Sequence, residues 1–127
     1  MYSFELDPSN QEKCLKRFDS QGWEEGQQYT IIIVKPGELP PPIDQPRMPH
    51  IYFFKAGASN KKAGVKVAES MEFAFAKPEE GNIPVVPLDD VIPKNAKILL
   101  LKSDTQGHEY GVYAGTSLSL SLSLSLS

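Results

Sequence analysis

Read for hydrophobic and polar positions, the chain opens on a short aromatic-rich strand, Tyr2-Ser3-Phe4-Glu5-Leu6. A helix follows. Asp7 is placed to cap it with Pro8 at its first position, where the missing N–H of proline costs nothing. Ser9 with Glu12 offers an alternative capping box. Cys14, Leu15 and Phe18 recur at helical spacing and give one apolar face, while Lys13, Lys16 and Arg17 lie off it. Gly22 ends the helix. Strand, turn and helix make the first half of a βαβ unit.

Tyr29 to Val34 is a continuous β-branched run and predicts a strand. Six prolines from Pro36 to Pro49 then exclude helix and central strand. This segment, 36–49, is expected as an exposed loop with polyproline II character. It could dock on a proline-recognition domain, or it could be a surface loop with no partner. Ile51 to Ala56 is the next strand, and Ala56 to Gly64 a turn-rich link. Val65-Lys66-Val67 and Met71 to Ala76 are short strand candidates, with a polar loop from Lys77 to Asn82. Val85-Val86 leads into a helical turn over Leu88 to Ile92.

The most informative pattern lies at Ile98-Leu99-Leu100-Leu101-Lys102-Ser103-Asp104-Thr105-Gln106-Gly107-His108-Glu109. Four apolar residues in a row suit a strand buried on both faces, as in a parallel sheet. Asp104 falls at the carboxyl end of that strand, and Gly107 permits a sharp turn out of it. Glu109 follows in the first turn of the next element, where a carboxylate is favoured if that element is a helix. Open α/β sheets bind ligands just beyond the carboxyl ends of their strands, so Asp104 is placed for chemistry. A strand-end aspartate also caps turns, and the pattern alone leaves both roles open.

From Ser117 to Ser127 serine and leucine alternate without exception. Strict two-letter repetition specifies neither a packed core nor a register. A CT dinucleotide repeat reads as alternating Leu and Ser codons, and we expect residues 117–127 to be translated repeat sequence. Residues 1–116 are expected to form the domain.

Composition adds bounds. The 127 residues suit one domain or part of one, with 40% hydrophobic and 23% charged positions. A net charge of −3 supplies no basic footprint for nucleic acid and no polybasic membrane patch. Cys14 is the lone cysteine, which rules out an intrachain disulfide and a cysteine zinc cluster. No apolar run approaches the roughly 20 residues that span a bilayer. The first residues lack a secretory signal pattern, and a cytoplasmic setting is the default expectation.

Three segments, in this order, resemble the FkbM family of S-adenosylmethionine-dependent methyltransferases. Tyr2-Ser3-Phe4-Glu5-Leu6-Asp7-Pro8-Ser9-Asn10 looks like that family's second strand, usually an aromatic residue, Glu, Pro, any residue and Pro before a helix. Leu6 stands where the first proline is usual. Ala56-Gly57-Ala58-Ser59-Asn60 through Gly64 is similar to its third-strand segment. Leu88-Asp89-Asp90, followed by Leu100-Leu101-Lys102-Ser103-Asp104-Thr105-Gln106-Gly107-His108-Glu109, resembles its most characteristic signature. The resemblance covers roughly residues 2 to 115, with Tyr29 to Pro49 matching poorly, as an insertion would.

The resemblance implies an α/β, Rossmann-like class I methyltransferase fold, a mostly parallel sheet flanked by helices, present here incompletely. It implies S-adenosylmethionine as cofactor and methyl transfer to an oxygen of a small molecule or glycan. Glu5 would bind the cofactor ribose, and Ala58 and Ser59 would approach the adenine. Asp104 would lie beside the transfer centre, with Asp104 or His108 as a base for an alcohol or phenol. Gln106 and Glu109 would face substrate or orient the loop. The sulfonium is already activated, so in-line positioning supplies much of the rate.

The family's glycine-rich first loop would precede Tyr2, and its last strands would follow the signature. Neither is present in this sequence, so the chain is expected to be a fragment that binds S-adenosylmethionine weakly or not at all by itself. The competing expectation is a non-catalytic remnant or interaction module that acts through the 36–49 loop. A nicotinamide dehydrogenase shares the sheet but needs a G-x-G-x-x-G, which is lacking. The methyl acceptor and the oligomeric state are not legible in the sequence.

Overall fold

The computed structural model describes residues 1–43, 46–60, 62–65, 82–94, 96 and 115. The Asp104 to Glu109 signature, its apolar run Ile98 to Leu101, the strand candidate at Met71 to Ala76 and the Ser-Leu tail all lie outside the described residues. Within them the chain is α/β.

The first strand, β1, spans Tyr2–Phe4, and the helix α1 spans Pro8–Ser20. Two longer strands follow, β2 at Tyr29–Ile33 and β3 at Ile51–Lys55. These three form one parallel sheet in the order β1-β3-β2, with Phe4 opposite Phe54 and Ile32 also opposite Phe54. Main-chain hydrogen bonds extend the β1 ladder at both ends, from Tyr52 N–H to the Met1 carbonyl and from Glu5 N–H to the Phe54 carbonyl. The β-branched and aromatic residues of β2 and β3 fit a pleated, half-buried surface.

The central strand β3 is buried on both faces, as strands of parallel sheets usually are. Tyr52, Phe53 and Phe54 are all buried, and Phe54 is completely so. On one face α1 packs through Phe18. Its ring meets Phe53 edge-on at 5.9 Å and Tyr29 at 5.0 Å, with Trp23 beside it at 5.3 Å. On the other face Tyr2 stacks on Tyr52 and Phe4 on Phe54, at 5.6 and 4.5 Å. Val34, Ala56, Val86 and Val91 complete that core, and Ile32 and Ile43 pack against it.

Helix α1 begins as its sequence predicts. Asp7 is the cap, accepting from the Ser9 N–H at 3.0 Å, with Pro8 in the first turn; the alternative cap at Ser9 is not used. The helix ends at Ser20, and Gly22 turns the chain at φ +75°. The apolar face is thinner than Cys14, Leu15 and Phe18 suggest. No helix residue is fully buried, and Cys14 and Leu15 are half-exposed, because α1 lies against one face of a narrow sheet.

The Ala56 to Gly64 segment is more ordered than a turn-rich link. Gly57–Ala58 continues the path of β3 as β4, which pairs in parallel with β6, Ile83–Val86. Ala63–Val65, β5, pairs with β6 antiparallel. A 3₁₀ turn at Leu88–Asp90 follows β6, with Leu88 buried, as the Leu88 to Ile92 pattern predicts.

The described residues of the proline-rich segment form neither helix nor strand. It is mostly exposed, yet it is tied down: Ile43 packs on the core, and the Arg47 N–H donates to the Tyr52 hydroxyl at 2.7 Å.

Candidate functional site

The three strands β1, β3 and β2 are parallel, so their carboxyl ends lie along one sheet edge, the edge at which open α/β sheets hold ligands. Glu5 leaves β1 there. Gly57 and Ala58 leave β3 there. Leu6 lies directly against Gly57: a Cβ built on Gly57 would stand 3.0 Å from Leu6 Cδ2. The fold therefore brings Glu5 and the Ala58-Ser59 loop to the same edge from positions more than fifty residues apart in sequence.

Glu5 is half-buried. Its Oε1 accepts the Asp7 N–H at 3.1 Å, and its backbone carbonyl accepts from Gln11 Nε2 at 2.8 Å. These bonds fix the exit from β1 and orient the carboxylate. Among the described residues none donates to Oε2, so one carboxylate oxygen is free to accept. Ala58 is half-buried, and its backbone lies on the β4–β6 ladder. Ser59 is 1% exposed, its N–H donates to the Val86 carbonyl at 2.9 Å, and its hydroxyl donates to Asn60 Oδ1 at 3.3 Å. Gly115 closes over it, since a Cβ there would overlap the Ser59 carbonyl. Ser59 is thus the inner wall of the loop, and Ala58 its more open part. Asp104, Gln106, His108 and Glu109 lie outside the described residues.

A shallow depression of about 450 Å³ lies elsewhere, between α1 and Lys55, lined by residues such as Gln11, Leu15, Lys16 and Asp19. It touches neither Glu5 nor the Ala58-Ser59 loop. Its charges are mixed, and Lys16 is already paired with Glu12 at 3.3 Å on the exposed helix surface. The strand edge, where chain topology converges a carboxylate and a second loop, is the better candidate.

The opposite sheet edge holds a polar cluster that the sequence reading does not single out. His50 is buried, and its Nε2 is 2.7 Å from Thr30 Oγ1. Arg47 reaches towards it, donates through Nη1 to the Gly26 carbonyl, and has Nη2 3.5 Å from His50 Nε2. Burial lowers the His50 pKa, and the Arg47 charge lowers it further; a backbone hydrogen bond with Gln27 and the Glu25 charge oppose this. Nearby, the Tyr2 hydroxyl is buried and has no hydrogen-bond partner among the described residues, and burial raises its pKa. The Arg-x-x-His spacing was the only sequence signal for this cluster. It sits at the amino ends of the strands and straps the proline-rich loop to the sheet.

Among the described residues no three His, Cys, Asp or Glu side chains gather to hold a metal ion, and no helix is long and apolar enough to cross a membrane. Neither a family model, nor a curated protein, nor a solved structure matches the chain.

Proposed function

We propose that this chain carries cofactor-binding elements of an S-adenosylmethionine-dependent methyltransferase of FkbM type, with a Rossmann-like class I fold, acting on an oxygen of a small molecule or glycan. The observation that supports it is the parallel β1-β3-β2 sheet, in which α1 carries the chain from β1 over to β2, with Glu5 and Ala58 at the shared carboxyl edge of β1 and β3. A carboxylate with a free oxygen at a strand end suits two vicinal ribose hydroxyls, as in other nucleotide-binding α/β sheets. Glu5 is that group here. Ala58, half-buried at the same edge, is the residue that meets the adenine in this reading.

When bound, the cofactor supplies a methyl group already activated on a sulfonium. The protein's part is then to hold donor and acceptor in line and to take a proton from the acceptor. By resemblance to the family signature, Asp104 and His108 carry that second task, while Gln106 and Glu109 orient the acceptor or the loop.

The test is a calorimetric titration of the natural full-length protein with S-adenosylhomocysteine, beside Glu5→Gln. Losing a charged acceptor of two hydrogen bonds should weaken binding by roughly ten- to a hundredfold. Equal affinities for the two proteins, or no heat from the natural protein at millimolar ligand, would refute the reading.

A further inference from the structure

The proline-rich loop is the feature that a methyltransferase reading leaves unused. We propose that Leu39-Pro40-Pro41-Pro42 is a docking segment for a proline-recognition domain, one whose groove is lined by aromatic rings.

The chemistry of the segment comes first. Each proline fixes φ near −65°, and each residue before a proline is pushed out of the helical region. Leu39, Pro40 and Pro41 all precede a proline, so residues 39–42 are held extended in the polyproline II form. The cis peptide among the described residues is Met48–Pro49, outside this run. Polyproline II turns every three residues, which places Leu39 and Pro42 on one face. Such a strip has few donors of its own, presents carbonyls and apolar rings, and matches the grooves of proline-recognition domains.

Its placement comes second. Leu39 is 43% exposed, and Pro41 and Pro42 are exposed, so the strip spends its apolar surface on solvent rather than on the core. The strip is also held at both ends. Upstream, the Glu38 N–H donates to the Lys35 carbonyl at 3.0 Å, directly after the buried Val34. Downstream, Ile43 packs on the core and Arg47 is bonded to Tyr52 and Gly26. The segment is therefore presented as a short stiff arch, and part of the ordering cost of binding is already met by folding.

Purified WW, SH3 and EVH1 domains serve as probes, each titrated into the ¹⁵N-labelled protein and followed by amide shifts. The expected result is saturable micromolar binding by one of the three classes, with shifts at Leu39 and Ile43. Pro41→Ala/Pro42→Ala and, separately, Leu39→Ala should each weaken it by roughly tenfold or more. These side chains are exposed, so thermal melts of the variants should match the parent. The absence of binding by all three classes at millimolar domain, or binding undiminished in both variants, would overturn the proposal.

Discussion

Leu6 and Gly57 touch at the carboxyl edge of the sheet so closely that no side chain fits between them. A Cβ on Gly57 would meet Leu6 Cδ2 at 3.0 Å, Leu6 Cβ at 3.1 Å and Val85 Cγ1 at 3.1 Å. The contact links the exit of β1 to β4 and β6, and it sets the spacing between Glu5 and Ala58. Gly57→Ala is expected to destabilise the protein by about 1–3 kcal/mol through overpacking. Part of that cost should return in the Leu6→Ala background, where the δ-methyls are gone. Chemical denaturation of the four proteins of this cycle measures the coupling. Strictly additive effects would show that Leu6 is not what Gly57 accommodates.

Asp7 makes the one side-chain cap of α1, with Ser9 N–H at 3.0 Å. The bond is solvent-exposed, so its loss leaves a donor that water can reach. Asp7→Ala should cost about 1 kcal/mol, and Asp7→Asn much less, because asparagine caps nearly as well. The same substitution also tests Glu5, whose Oε1 accepts the Asp7 backbone N–H and not its side chain. The S-adenosylmethionine binding proposed for Glu5 should therefore survive Asp7→Asn. A fall in melting temperature as large for asparagine as for alanine would contradict the capping role.

Local chemistry explains which parts of this fold are legible in the sequence. Asp7-Pro8 announces a helix start because capping and the missing proline N–H are decided within one turn. Tyr29 to Val34 and Ile51 to Ala56 announce strands because β-branching and aromatic side chains act residue by residue. The extended pairing of Gly57–Ala58 was not legible, since its partner lies at Val85–Val86 and glycine next to alanine reads as a turn. The burial of His50 was equally hidden. A lone histidine after a proline-rich loop reads as surface, and only the β3 register, which sets Thr30 opposite Tyr52, brings Thr30 alongside it. Glu5 and the Ala58-Ser59 loop could be named from motif resemblance, but their meeting at one edge is a property of the sheet.

Tyr52 holds the proline-rich loop through one bond, its hydroxyl accepting the Arg47 N–H at 2.7 Å. Tyr52→Phe keeps the ring against Tyr2 and removes only that acceptor. The expected cost is about 1 kcal/mol, the usual worth of one such bond. A more specific readout is amide hydrogen exchange: the Arg47 N–H should exchange faster in the variant, while the β3 amides stay protected. Unchanged protection at Arg47 would mean that Ile43 and the Arg47 guanidinium alone hold the loop.

His50 makes the stability of this protein depend on pH in a direction that can be worked out. Burial is the main cause of its lowered pKa, and Arg47 adds to it; Gln27 and Glu25 act the other way. The Met1 amino group, which donates to the His50 carbonyl at 2.7 Å, also opposes protonation. A folded pKa below the unfolded value of about 6.5 means that the unfolded chain binds more protons between the two values. Stability is then full above about pH 6.5 and falls as the pH drops from there towards the folded pKa, by at most about 1.4 kcal/mol per pH unit for one group. Structurally, the imidazolium would face the Arg47 guanidinium, whose Nη2 lies 3.5 Å from Nε2. Denaturation midpoints between pH 7.5 and 5.5 should fall with acidification, and His50→Gln should flatten that slope while Asp and Glu groups remain ionised. A His50 ring titrating above 6.5 by NMR, or a slope that His50→Gln leaves unaltered, would show that the buried imidazole is not the group responsible.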